Sequence, residues 1–112
     1  MSADELAAAA AKAFASAFDG IIRLEPEGGA SLWIDGRKAP PGVGTSAPGN
    51  LDASGAGQCV WRATRETLIR ILEGERMLGG SYLSGRLAIA GDMSVMARVQ
   101  IERHRIEAST RG

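Results

Sequence analysis

Gly85-Arg86-Leu87-Ala88-Ile89-Ala90-Gly91-Asp92-Met93 is the stretch whose reading decides the fold. Leu87 and Ile89 alternate with alanines, so both fall on one side of a strand running from Arg86 to Ala90. Gly91-Asp92 is a turn and cap signal, and a helix is expected from Met93 to about Arg105. Met93, Met96 and Ala97 lie on one side of that helix, Val95 and Val99 on the other. Upstream, residues 75–84 place Met77, Leu78, Tyr82 and Leu83 around Gly79-Gly80, an irregular apolar connection. Before them, Thr64 caps a helix whose Leu68, Ile71 and Leu72 form a stripe, and Gly74 ends it. Residues 58–63 alternate, Val60 against Cys59 and Trp61, as a strand does.

The amino-terminal half begins with a helix over residues 3–19. Asp4 and Glu5 suit its positive end, and Ser2 with Glu5 fits a capping box. Leu6, Ala10, Ala13, Phe14, Ala17 and Phe18 share one face, and Gly20 ends the helix. Strands at 21–25 and 31–35 flank the turn residues Pro26, Gly28 and Gly29, which makes a hairpin. Ile22, Leu24, Leu32 and Ile34 face inward and Trp33 outward. Residues 36–57 are dense in Gly, Pro, Ser and Ala, and Pro40 and Pro41 argue against a central strand there. A loop is expected, with a short edge strand near Val43 to Ser46, and loops of that length are commonly functional or mobile. The element order predicts an α+β domain spanning 1–112: an antiparallel-rich sheet with helices over one face.

With 112 residues, 45% apolar and 23% charged, the chain suits one modest core. The net charge is zero, with four basic and seven acidic groups in 1–57 against nine and six in 58–112. That asymmetry is too mild for a nucleic-acid footprint. The single cysteine, Cys59, excludes an internal disulfide framework. No apolar run reaches the ~20 residues of a membrane span, and the alanine run at 7–17 lacks a signal peptide's basic start. A cytoplasmic location is expected, and the preference for Arg over Lys suggests a bacterial chain.

The stretch from Cys59 to Gln100 resembles the sterol carrier protein 2 family. The likeness rests on Gly85 to Met93 with the following Met96, Ala97 and Val99, and on the spacing from Gly74 to Gly85. Trp33-Ile34-Asp35-Gly36 looks like the family's Trp-containing hairpin. The resemblance implies a sheet of about five strands, covered by helices on one face and enclosing an apolar tunnel. It implies a carrier of fatty acids, acyl-coenzyme A, phospholipids or sterols, with no cofactor and no metal. Carried over residue by residue, the ligand-binding wall takes Phe14, Phe18, Leu24, Ile34, Leu72 and Met77. It continues with Tyr82, Leu83, Leu87, Ile89, Met93 and Met96. Apolar area suffices to hold an acyl chain, and methionine adapts to irregular shapes.

Other signals are weaker. His104, between Arg103 and Arg105, reads as a surface histidine. Cys59 reads as an inert, partly buried thiol. Gly42-Val43-Gly44 lacks the third glycine of a dinucleotide loop. Arg98, Arg103 and Arg105 suit the negative end of the last helix, or alternatively a contact with lipid headgroups or an acidic partner. Two other functions are weighed against the carrier. One is an accessory module, a homodimer or a docking partner of a biosynthetic enzyme, motivated by Trp33 and Trp61 as exposed aromatics. The other is an enzyme using Asp35 or Asp92, for which no paired nucleophile and base is evident.

Overall fold

Ile21–Pro26 forms the central strand β1, because its Ile, Leu and Arg alternation suits a sheet with one dry face. The computed structural model describes residues 2–51 and 53–99, with side chains from Glu5 onward. Strand β2 (Leu32–Asp35) turns back antiparallel beside β1 through the hairpin turn, where Gly28 has a φ of +72°. Strand β3 (Gly42–Gly44) is the expected short edge strand and pairs antiparallel with β2. Strand β4 (Gln58–Ala63) lies parallel to β1 on its other side, and β5 (Ala88–Gly91) pairs antiparallel with β4. The sheet order is therefore β3-β2-β1-β4-β5, the mostly antiparallel five-stranded sheet expected.

Three helices accompany it: α1 (Ser2–Ala13), α2 (Arg65–Leu72) and α3 (Leu78–Leu83). The signals for α2 hold. Thr64 Oγ1 accepts the Thr67 N–H at 3.1 Å, and Gly74 takes a φ of +83° just past the end. α1 and α2 pack on each other, and their apolar stripes share one core with the inward residues of the sheet. Trp61, Phe14, Ile22, Leu24, Ile34, Leu68 and Leu72 are all buried there.

Several expectations change. The first helix ends at Ala13 rather than near Gly20, and Gly20 leads directly into β1. Phe18 N–H instead donates to Gly36 O at 2.9 Å, a partner far away in sequence. Residues 75–84 are not wholly irregular, since α3 lies among them. The strand expected from Arg86 begins at Ala88. Met93–Val95 is a single 3₁₀ turn capped by Asp92. Residues 96–98 continue as turns and not as the expected helix, and its remainder from residue 100, with Arg103, His104 and Arg105, falls outside the described residues. Trp61 is not exposed but fully buried, because Cys59, Trp61 and Ala63 are the inward positions of β4.

The loop that joins β3 to β4 is tied in its middle and at its β4 end. Arg37 is held by both oxygens of Asp35 at 2.9 Å, and its Nη1 and Nη2 donate to Asn50 O at 3.0 Å and Gly49 O at 2.8 Å. Gly57 N–H donates to Asp92 Oδ2 at 2.6 Å, and Ile21 N–H to Gly57 O at 2.8 Å.

Candidate functional site

The inner layer is built around three rings. Phe14 and Phe18 follow α1 and lie 5.7 Å apart by centroid, and Phe14 sits 5.9 Å from Trp61 on β4. Such tilted pairs suit the ring quadrupoles. The Trp61 indole N–H, otherwise stranded in the core, donates to Met96 Sδ at 3.2 Å. Of the twelve residues implied as a ligand wall, the structure brings Phe14, Phe18, Leu24, Ile34, Leu72 and Leu87 together in this core. Ile89 and Met96 are partly buried against it. Met77, Tyr82, Leu83 and Met93 are at the surface, with Leu83 85% exposed. No tunnel is seen among the described residues; Phe14, Leu24, Ile34 and Leu72 are buried between the sheet and α1 and α2.

The core thins toward β5. Beyond Trp61 come Ile89, directly opposite it on β5, then Met96, and Leu78 of α3, each only partly buried. α3 is the weakest cover of the layer. Two of its six residues are glycine, each worth roughly 1 kcal/mol against a helix relative to alanine. Met77 caps it without a side-chain hydrogen bond, and Ser81 is its one buried residue. Its Ser81 O accepts the Arg86 and Leu87 N–H groups, at 3.0 and 3.1 Å, just ahead of β5. The glycines beside Leu78 conceal, in the sequence, the short helix that packs it against the core.

A second space is an open groove of about 520 Å³ between α1 and the end of α2. Ala8, Ala9 and Leu72 line it, and Glu5, Lys12, Glu73 and Glu75 rim it. Its three carboxylates make it a poor seat for an acidic lipid. Apart from Leu72, these residues carry no sequence signal for binding.

The polar groups weighed as catalysts do structural work. Hydrogen bonding from Arg37 holds the Asp35 carboxyl below its ordinary pKa. For Asp92 the causes are Ser94 and the Gly57 amide, and its carboxylate caps the 3₁₀ turn by accepting Ser94 N–H at 3.0 Å. Burial pushes the Cys59 thiol up, away from a reactive thiolate. Arg98 is not a free surface cation: it donates to Phe18 O and Asp19 O at 3.0 Å each. On the outer sheet face Arg23 lies 5.2 Å over the half-buried Trp33 ring, a cation–π contact. Among the described residues no three His, Cys, Asp or Glu side chains gather as metal ligands, and no helix is long and apolar enough to cross a membrane.

A five-stranded sheet in the order β3-β2-β1-β4-β5, with its helices packed on one face, defines the class: this is the sterol carrier protein 2 fold. Three of the solved structures that share it show how far the likeness reaches. Sterol carrier protein 2 from Yarrowia lipolytica, in its apo form, matches with a TM-score of 0.54 and 20% identity, over 82% of this chain and 75% of that one. The sterol carrier protein domain 2 of Helicoverpa armigera gives 0.55 and 14%, over 72% and 63%. UbiJ-SCP2, a ubiquinone synthesis protein, gives 0.50 and 21%, over 83% and 69%. No protein-family model matches the sequence, and no curated protein matches it. The likeness is one of fold, as the motif around Gly85 to Met93 implied.

Proposed function

We propose that this chain is a binding and carrier domain for an apolar ligand with an acyl chain, working without catalysis. The observation that carries the reading is the incomplete layer at β5. Ile89 and Met96 are partly buried beside the fully buried Trp61, and Leu78 is partly buried at the start of α3, a short helix weakened by Gly79 and Gly80. Displacing α3 breaks few contacts, and an acyl chain entering there completes the layer at about 25 cal/mol per Å² removed from water. The likeness to sterol carrier protein 2 domains supports the same reading. No acid–base pair is needed, and Asp35 and Asp92 are both committed to holding the long loop.

The test is native mass spectrometry of the purified protein, followed by titration of a Trp33→Phe variant with a fatty acid. A bound lipid in the mass spectrum, or a saturable change in Trp61 emission, is expected. A clean mass with Trp61 emission unmoved by any acyl ligand would sink the reading. An accessory module remains the second reading, supported by Trp33 and Arg23 on the outer face and by the likeness to UbiJ-SCP2, a ubiquinone synthesis protein. Light scattering separates the two: a stable dimer lost in Trp33→Ala favours the module.

A further inference from the structure

The geometry points to α3 and its flanks as a face that docks on an anionic lipid bilayer. The apolar side chains here are turned the wrong way for a core. Met77 is 58% exposed, Tyr82 46% and Leu83 85%, while Gly79 and Gly80 add no side chain between them. A six-residue helix that leaves Tyr82 and Leu83 largely in water gains little from them in the isolated fold. Its one buried residue is Ser81.

Charge selects the partner. From residue 76 to residue 91 the chain carries two cations, Arg76 and Arg86, and no acid. Neither arginine forms a salt bridge among the described residues, and the buried Arg76 Nε has no hydrogen-bond partner. The nearest acids in sequence are engaged: Glu75 with Arg70 at 3.3 Å, and Asp92 with Gly57 and Ser94. An apolar tip flanked by arginines that form no salt bridge among the described residues is the pattern that lies in a headgroup layer, tip inserted and cations at the phosphates. A second copy of the chain fits less well, since a two-fold contact sets arginine against arginine.

This inference rests on the carrier reading for its use, since a carrier must load and unload at membranes. Its chemistry stands independently. The experiment is co-sedimentation of the whole chain with vesicles of phosphatidylcholine alone and of phosphatidylcholine mixed with phosphatidylglycerol. Binding is expected to the mixed vesicles only and to weaken as salt rises. Arg86→Glu is expected to lower partitioning by at least about fivefold, the weight of one cation at such a surface. Leu83→Glu is expected to lower it by on the order of tenfold or more. Both positions are exposed, and circular dichroism checks that the variants stay folded. Leu83→Trp is expected to keep binding and to show a blue shift beyond that of the parent protein on mixed vesicles alone. Absence of binding to the mixed vesicles overturns the inference, as does equal binding by folded Leu83→Glu. A dimer that Leu83→Glu dissociates also overturns it. If fatty-acid titration of the same preparation still succeeds, only the docking face has failed and the carrier reading stands.

Discussion

Truncating Phe14 to alanine separates a packed core from a ligand chamber. The ring is 2% exposed and lies within 6 Å, centroid to centroid, of both Phe18 at 5.7 Å and Trp61 at 5.9 Å. Losing its burial costs about 1.5–3 kcal/mol, and losing two ring pairs costs about 0.5–1.5 kcal/mol each. Together these bracket the roughly 3–5 kcal/mol typical of such truncations. At about 4 °C of Tm per kcal/mol for a domain of this size, thermal unfolding followed by circular dichroism is expected to shift down by roughly 12–20 °C. Leu83→Ala, at an 85% exposed position, serves as the control and is expected to stay within about 2 °C. A Phe14→Ala protein melting within about 3 °C of the parent refutes the reasoning. It would mean that the ring borders space a ligand fills, so that its loss enlarges a pocket instead of emptying a core.

Three further outcomes follow from the geometry. A Cβ on Gly91 would stand 2.6 Å from Gln58 O at a φ of +98°, against a backbone that cannot yield. Gly91→Ala should therefore cost at least about 2 kcal/mol in urea unfolding, more than alanine at the open Gly79, which should stabilise α3. Hydrogen bonds from Arg62, Arg37 and Ser94 hold the carboxyls of Glu25, Asp35 and Asp92 below their ordinary values. Their stabilisation is present above the ordinary carboxylate range and is lost as pH falls through the lowered native values, so a pH series of melts should be flat near neutrality and drop below about pH 4. Arg37→Ala removes the donors to Gly49 and Asn50, and limited proteolysis should then cut within 45–56 at least several-fold faster while the melt moves little.

What the sequence disclosed, and what it hid, divides by the range of the causes. The helix from Thr64 to Gly74 was legible because its cap, stripe and stop are neighbours in the chain. The hairpin and the short edge strand were legible for the same reason. Phe14 and Phe18 kept helical spacing, yet the helix stops at Ala13 because Phe18 finds Gly36 and Arg98 holds the carbonyls of Phe18 and Asp19. No local pattern announces such partners. Six of the twelve residues implied as the site do converge in the core, since strand parity and helix stripes fix which way they point. Met77, Tyr82, Leu83 and Met93 are just as apolar but sit where no layer covers them among the described residues, and composition carries no sign of side.

The parallel pairing of β1 with β4 also bears on how the chain is made. β1 is the middle strand, but only β2 follows it promptly; its other neighbour begins at Gln58, after β3 and the long loop. At about 5–20 residues per second of synthesis, the ribosome leaves one edge of β1 bare for some seconds. During that interval Ile22 and Leu24, later among the driest residues of the fold, have only Ile34 and Leu32 as strand neighbours. The sticky half-sheet is thus a transient of translation, and slow codons placed after Asp35 would lengthen it whereas the finished protein would be unchanged.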